Sequence, residues 1–349
     1  MKLSTYYQLI RWHVLSWFVP KVISKRSPYK LMIQLTNLCN SKCKNCLIWT
    51  HEVNHNPEYQ EVSNEDICNV MTELREDLFW IAFTGGEPTL KKDDIIFLLS
   101  KAVEICPRMR VVAFTTNGLK PNDALEIALE IKKLGLDSIV TISLDGDEMT
   151  HDHIRGVKGN YQLAQETLKL LENHGVKVHF GLTVGKLNYD YIQNKYHQDA
   201  AHIKAVTFTH LNGIYSYGGS VNAGRMLESI KTIIRNYKVD KLHETIELIY
   251  LKISEIFFNR EMKENIIPCS VLKSTIDVMA NGDIVPCMFL PKISSANKFK
   301  KSDLDSKEVK KVLEDIRKNK CPKCWMNCYA PHSIIDKPIT SLIKVMRSR

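Results

Sequence analysis

The sequence predicts an α/β fold, a partial (β/α)6 TIM-like barrel with a small C-terminal cysteine-rich hairpin-plus-helix domain, and three observations predict it. From Leu31 onward, short β-rich runs alternate with amphipathic helical runs, the pattern of a parallel sheet covered by crossover helices. Six such units follow one another before the pattern fails after His210. Five of the ten cysteines then crowd into the stretch from Cys269 onward, around an Asn281-Gly282 turn.

The strands are expected, in order, at Leu31-Met32-Ile33-Gln34-Leu35, Trp80-Ile81-Ala82-Phe83, Val111-Val112-Ala113-Phe114, Ser138-Ile139-Val140-Thr141-Ile142, Val176-Lys177-Val178-His179-Phe180 and Ala205-Val206-Thr207-Phe208. Helices with apolar residues at three- and four-residue spacing fall between them, at 65–78, 93–105, 124–134 and 162–173. Asn64 reads as an N-cap and Gly175 as a C-terminal stop. The segment 211–225, rich in Gly, Ser, Asn and Tyr, reads as a long loop before one helical stretch at 226–259. Near Pro268 a smaller unit begins, whose hairpin over 276–285 takes the positive φ angles of its turn from Asn281-Gly282. Four regions result: a basic amphipathic segment at 1–29, the barrel at 30–211, a loop and helical connector at 212–267 and the cysteine-rich unit at 268–349.

Composition narrows the function classes. At 44% hydrophobic and 25% charged, with 15 glycines and 12 prolines in 349 residues, the chain is an ordinary globular one rather than disordered or fibrous. No apolar run approaches the length of a membrane span. Arg11 and His13 interrupt the apolar N-terminal stretch, so a secretion signal is not expected and a cytoplasmic location is. Ten cysteines in a reducing compartment then point to metal binding or catalysis before disulfides. The net charge of +9 is spread over 48 basic and 39 acidic residues, and no basic helix with interleaved aromatics suggests nucleic-acid binding. No phosphate-binding loop ends in Gly-Lys-Ser/Thr.

Cys39, Cys43 and Cys46 form C-x3-C-x2-C in the loop after the first strand, at the carboxyl ends of the strands where parallel α/β folds keep their sites. Three thiolates on a four-iron cube leave one iron open, whereas zinc takes four ligands. Gly85-Gly86-Glu87-Pro88 follows the second strand on the same rim. Its glycines let backbone approach a ligand, and Glu87 offers an acceptor for an ammonium group. Cys269, Cys287, Cys321, Cys324 and Cys328 form the second set, in which C-x17-C spans the hairpin and Cys321 and Cys324 make a C-x2-C knuckle. On spacing alone, four thiolates there suit an iron-sulfur cluster or a zinc tetrahedron. Cys68 and Cys106 read as buried structural thiols on helices.

The two rim motifs, in this order on these strands, resemble the radical SAM superfamily over roughly 31–211. The resemblance implies a 4Fe-4S cluster on Cys39, Cys43 and Cys46 whose open iron is chelated by S-adenosylmethionine. Reductive cleavage would then give a 5′-deoxyadenosyl radical that takes hydrogen from a substrate. It also implies SAM contacts at Gly85, Gly86 and Glu87. Thr115-Thr116-Asn117-Gly118 and Ser143-Leu144-Asp145-Gly146 look like family strand ends, which carries Asn117 and, for the ribose, Ser143 into the site. His151-Asp152-His153-Ile154-Arg155-Gly156 is similar to a stretch whose arginine meets the SAM carboxylate, here Arg155. Asn45 departs from the family, where an aromatic residue often precedes the third cysteine. The segment 181–188 is near the family's adenine-contacting strand but departs from it at Thr183 and Asn188.

The C-terminal set resembles a reduced SPASM domain, or twitch domain. That implies an auxiliary 4Fe-4S cluster on Cys269, Cys287, Cys321 and Cys324, with Cys328 a replacement ligand or a spare thiol. The expected function is a radical SAM oxidoreductase or maturase acting on a peptide, lipid or sugar-type substrate, with an external one-electron donor and the auxiliary cluster accepting an electron. A cysteine-rich zinc scaffold or nucleic-acid module is the alternative. Residues 3–23, aromatic, basic and free of acids, suggest a peripheral membrane contact or a helix packed on the barrel.

Overall fold

The computed structural model describes residues 27–56, 58–209, 221–239 and 242–347. The amphipathic segment 3–23 and residues 210–220, most of the expected long loop, lie outside the described residues. Six β/α units are present. Strands β1 (Lys30–Thr36), β2 (Trp80–Gly85), β3 (Val111–Thr116), β4 (Asp137–Ser143), β5 (Val178–Val184) and β6 (Ile203–Phe208) pair in parallel, each with the next. Between them run α1 (Asn64–Glu73), α2 (Lys92–Ile105), α3 (Pro121–Lys133), α4 (Glu148–Arg155), α5 (Asn160–Asn173) and α6 (Tyr189–Asn194).

One strand face is apolar and buried. Leu31, Ile33, Ile81, Phe83, Val112, Phe114, Val140, Ile142, Phe180 and Leu182 pack with Leu98, Ile127, Leu168 and other helix residues into one core. Period-2 alternation puts the intervening residues on the other face. Toward the carboxyl ends the side chains there are small or polar, namely Gln34, Ala82, Thr84, Ala113, Thr115, Thr141, Ser143, Gly181, Thr183, Ala205 and Thr207, while Met32, Trp80, Val111, Ile139 and His179 lie on it nearer the amino ends. Such a face leaves room and hydrogen-bonding groups where a bulky apolar one would fill the barrel.

Local chemistry explains the boundaries. Helix α1 is capped one residue earlier than expected, because the Ser63 side chain, not that of Asn64, accepts from the Asp66 N–H. Helix α4 ends at Gly156, whose φ of +66° places it against the Lys42 carbonyl, where a Cβ would stand 2.6 Å from the oxygen. The expected helix over 226–259 is two helices, α7 (Ala223–Asn236) and α8 (Leu242–Asn259). Tyr237 leaves the helical conformation at ψ 116° and its hydroxyl reaches the Lys204 carbonyl, a tertiary contact that helical periodicity does not report.

After α8 the chain does not leave the sheet. Strand β7 (Thr275–Val278) pairs in parallel with β1, and β8 (Asp283–Val285) and β9 (Ser294–Ser295) extend the sheet antiparallel. In the β7–β8 turn Gly282 has φ +81°, while Asn281 is not among the residues with positive φ, so one residue and not two takes the left-handed conformation. Helices α9 (Lys307–Arg317), α10 (Ala330–Asp336) and α11 (Pro338–Met346) complete the described chain.

The sheet curves until β6 comes near β7 on the far side of β1. Asn327 donates its amide to the Val206 carbonyl of β6 at 2.9 Å, and Tyr329, two residues on, hydrogen-bonds Asp277 of β7. A segment of three residues therefore bridges the two sides of the six-stranded sheet. Glu247 of α8 completes the closure by accepting from the Val206 N–H at 3.1 Å and from Asn327 at 3.0 Å. These side chains satisfy the outward backbone groups of Val206 that an open edge strand would leave unpaired. Burial raises the Glu247 carboxyl to about 8. Asn327→Ala is expected to cost about 1–3 kcal/mol. It should lower the denaturant midpoint and speed hydrogen exchange in β6 before the other strands; unchanged β6 protection would count against this closure.

Candidate active site

All the rim motifs stand at the carboxyl ends of the parallel strands. Cys39, Cys43 and Cys46 lie in the loop after β1, and that loop is tied down residue by residue. Asn54 Oδ1 accepts from the Cys39 N–H at 2.9 Å, and its amide donates to the Asn37 and Ile48 carbonyls. Lys42 N and Lys44 N donate to the Arg155 and Ile154 carbonyls at the end of α4. Glu61 accepts from Thr36 Oγ1 and Asn37 N, both at 2.6 Å. Asn54 and Glu61 escaped the sequence reading; both stand in an aperiodic polar stretch that carries no signal of its own.

Gly85 and Gly86 press against the same loop. A Cβ on Gly86 would stand 2.1 Å from the Leu38 oxygen, and one on Gly85 2.2 Å from the Thr36 oxygen. Their N-terminal neighbours in space are therefore backbone, joined by Gly86 N to Thr36 O at 2.7 Å and Glu87 N to Leu38 O at 2.9 Å. Glu87 is held from several sides. It is 1% exposed, and its oxygens accept from Thr89 N, Thr89 Oγ1, Thr116 Oγ1 and Asn117 N. Three donors meet Oε1 and one meets Oε2, so the carboxylate joins the ends of β2 and β3. Burial nonetheless raises its carboxyl above the usual range.

Asn117 is also a tie. Its amide donates to Asn40 Oδ1 at 2.7 Å and Ser41 Oγ at 2.9 Å, and its Oδ1 accepts from Leu119 N. Ser143 ends β4 half-buried, opposite Gly181 of β5. Asn188 is buried and bonds Gly185, Asp145 and Thr183, holding the β4 and β5 ends together.

Arg155 is the cation of the rim. Its side chain is 12% exposed, pairs with Asp145 at 2.8 Å and sets Nη1 3.9 Å from the Cys43 sulfur. Its Nε is buried without a hydrogen-bond partner. A solvated loop charge would show neither feature. Burial pushes the thiols up, Cys39 to about 12, Cys46 to about 11, and Cys43 in the same direction against the opposing pull of Arg155. Buried thiols beside a cation with an unused donor suit a positively charged iron-sulfur core together with an anionic ligand group, so the residues fit both.

The second cysteine set divides. Cys269, Cys287, Cys321 and Cys324 line one cavity of about 470 Å³, its open mouth included, with Ile267, Val271, Ile316, Met326 and Tyr329 around them. Burial raises all four thiols, Cys324 to about 12. Cys328 is not in that lining; its charge neighbours are Lys30 and Asp277. Trp325 anchors the knuckle by stacking on Tyr250 of α8, with its ring N–H on the Tyr250 carbonyl at 3.2 Å. Register places this cavity at the far end of the sheet from Cys39. Lys30 pairs with Thr275 and Asp277 with Val285, so Cys269 and Cys287 flank the amino ends of β1 and β7. Among the described residues, no three His, Cys, Asp or Glu side chains are drawn in around one point as ligands of a single metal ion. Of the structural thiols, Cys106 is 1% exposed just past α2 and Cys68 is half-buried on α1.

A parallel α/β barrel with three thiols, a diglycine rim and a buried arginine at the carboxyl ends of its strands is the arrangement that the resemblance implies for an iron-sulfur class of SAM-dependent enzymes. The model of the Radical SAM superfamily matches residues 33–197, and the chain carries that domain. The class is an enzyme class that works with a 4Fe-4S cluster and SAM. The chain is 28% identical over 255 residues to the Fe-coproporphyrin III synthase of Methanosarcina barkeri, spanning 71% of this chain and 55% of that protein. It is 27% identical over 317 residues to the antilisterial bacteriocin subtilosin biosynthesis protein AlbA of Bacillus subtilis, spanning 84% and 65%. The chain thus spans less than two thirds of either relative's length. Its fold is shared with native anSMEcpe with bound AdoMet and Kp18Cys peptide, at a TM-score of 0.62 and 14% identity, over 92% of this chain and 99% of that one.

Proposed function

We propose that the protein is a radical SAM maturase acting on a peptide, with a second 4Fe-4S cluster at the opposite end of its barrel. The observation that carries the reading is the division of seven cysteines into a rim triad and a cavity quartet joined by one barrel. When bound, the rim cluster and SAM supply a reducing electron and a carbon radical that takes a hydrogen atom from substrate. Cys39, Cys43 and Cys46 hold that cluster, and the Arg155 guanidinium takes the SAM carboxylate. Glu87, Asn117 and Asn54 keep the thiol loop in place. Ser143, at the end of β4, is positioned for the ribose.

The barrel's inner face supports a polar substrate. Its hydroxyls on Thr84, Thr115, Thr141, Thr183 and Thr207, with small residues between them, suit a chain of amides better than an acyl tail. The names of the bacteriocin biosynthesis relative and the peptide-bound neighbour point the same way.

Cys269, Cys287, Cys321 and Cys324 would hold the second cluster, fully ligated by protein and so suited to electron transfer rather than substrate chelation. Cys269→Ala or Cys287→Ala is expected to lower iron to about four per chain, to spare 5′-deoxyadenosine release from SAM, and to stop product formation. Zinc in the quartet after anaerobic reconstitution, or loss of SAM cleavage in a folded variant, would refute the electron-acceptor role. Among the described residues no helix is long and apolar enough to cross a membrane.

A further inference from the structure

Helix α11 is amphipathic in the wrong sense for a helix packed on a core. Ser341 is fully buried and Val345 packs against the core, while Ile339, Leu342, Ile343 and Met346 are 56%, 48%, 36% and 66% exposed. These four recur at i, i+3, i+4 and i+7, so they form one continuous apolar stripe along the helix. Monomeric proteins seldom leave such a stripe bare, and scattered single residues do not make one.

Charge says what suits it. From 337 to 349 the chain has Lys337, Lys344, Arg347 and Arg349 and no acid. A second acid-free basic stretch stands at the start of the sequence. Residues 1–26 contain Lys2, Arg11, Lys21, Lys25 and Arg26, with Tyr6, Tyr7, Trp12, Trp17 and Phe18 and no acid. The described chain begins next to α10, where the Tyr29 hydroxyl meets His332 Nδ1 at 2.8 Å and Lys30 Nζ meets His332 Nε2 at 3.1 Å. Within the described helix, Lys344 in the last turn and Arg347 at the C-cap set cations along the stripe. A second copy docking stripe to stripe would set these like charges against one another, whereas an anionic surface would compensate them.

We infer that α11 is a membrane-docking helix that lays Ile339, Leu342, Ile343 and Met346 into the interface of a bilayer rich in anionic lipid. Apolar burial at the acyl boundary supplies the adhesion, and Lys344 and Arg347 the preference for negative headgroups. The rim triad, at the other end of β1 from Tyr29, keeps its distance from the lipid.

Flotation of the full-length protein with vesicles tests this. Binding is expected to vesicles of phosphatidylcholine mixed with phosphatidylglycerol, weakly or not at all to phosphatidylcholine alone, and to weaken with salt. The double variant Leu342→Ser, Ile343→Ser should lower partitioning at least about tenfold, with unchanged iron content and thermal midpoint. Lys344→Gln with Arg347→Gln should reduce the difference between the two vesicle types while leaving the stripe intact. Vesicle binding that survives the Leu342/Ile343 variant would overturn the inference in favour of another lipid-binding segment. No binding by the parent protein would also overturn it, as would a concentration-dependent dimer abolished by that same variant.

Discussion

Replacing Cys39, Cys43 and Cys46 together by alanine is expected to halve the iron of the anaerobically reconstituted protein, from about eight to about four per chain, and to abolish 5′-deoxyadenosine release from SAM under dithionite. The halving follows from the geometry. The three thiols sit past the carboxyl end of β1, while Cys269 and Cys287 flank the amino ends of β1 and β7, so the quartet keeps its full ligand set when the triad is lost. The loop should keep its path, because Asn54, Glu61 and the end of α4 hold it through backbone groups and not through sulfur. Iron that stays near eight would remove the triad from the reading. Iron that falls to zero would mean that the two sites are not independent.

Gly86→Ala should be among the most damaging single substitutions on the rim. The added methyl would stand 2.1 Å from the Leu38 oxygen, 2.6 Å from its carbonyl carbon and 2.9 Å from the Asn37 oxygen, all of them backbone. No side-chain rotation relieves such a clash; either β2 retreats from the thiol loop or the loop lifts. A cost of about 3 kcal/mol or more is expected, read as a large fall in thermal midpoint together with loss of the triad's iron and retention of the quartet's. Gly135→Ala is the control. It has φ +74° but nothing within 4 Å of a Cβ, so only the conformational cost of about 1 kcal/mol applies. Equal effects of the two changes would show that the close approach at Gly86 is not what holds the rim.

Much of the barrel was legible because parallel strands and their crossover helices carry period-2 and 3.6-residue patterns within single segments. All six strands overlap their expected positions, and Gly175 stops α5 with φ +68°. The cysteine spacings were equally local, since C-x3-C-x2-C and C-x2-C each lie within one loop. What escaped were distinctions between neighbours that depend on distant partners. Glu87 reads as an isolated acceptor until Thr89, Thr116 and Asn117 are seen around it. Arg155 could be a solvated charge or a buried one, and Asp145 with the Cys43 sulfur makes it buried. Cys328 packs on the same cluster as the quartet, yet it is not in the cavity lining and has Lys30 and Asp277 as charge neighbours.

By itself the sequence determined the positions of the six parallel strands, the alternation of faces and the two sets of thiols, because each is written in residues close along the chain. Only the tertiary structure decided that the sets occupy opposite ends of one sheet. The closure of that sheet at β6 by Asn327 and Glu247, and the outward face of α11, were decided there too. Asn327 meets Val206 across 121 positions, and hydrogen bonds of that reach are selected by the packing of whole elements, to which local periodicity is blind.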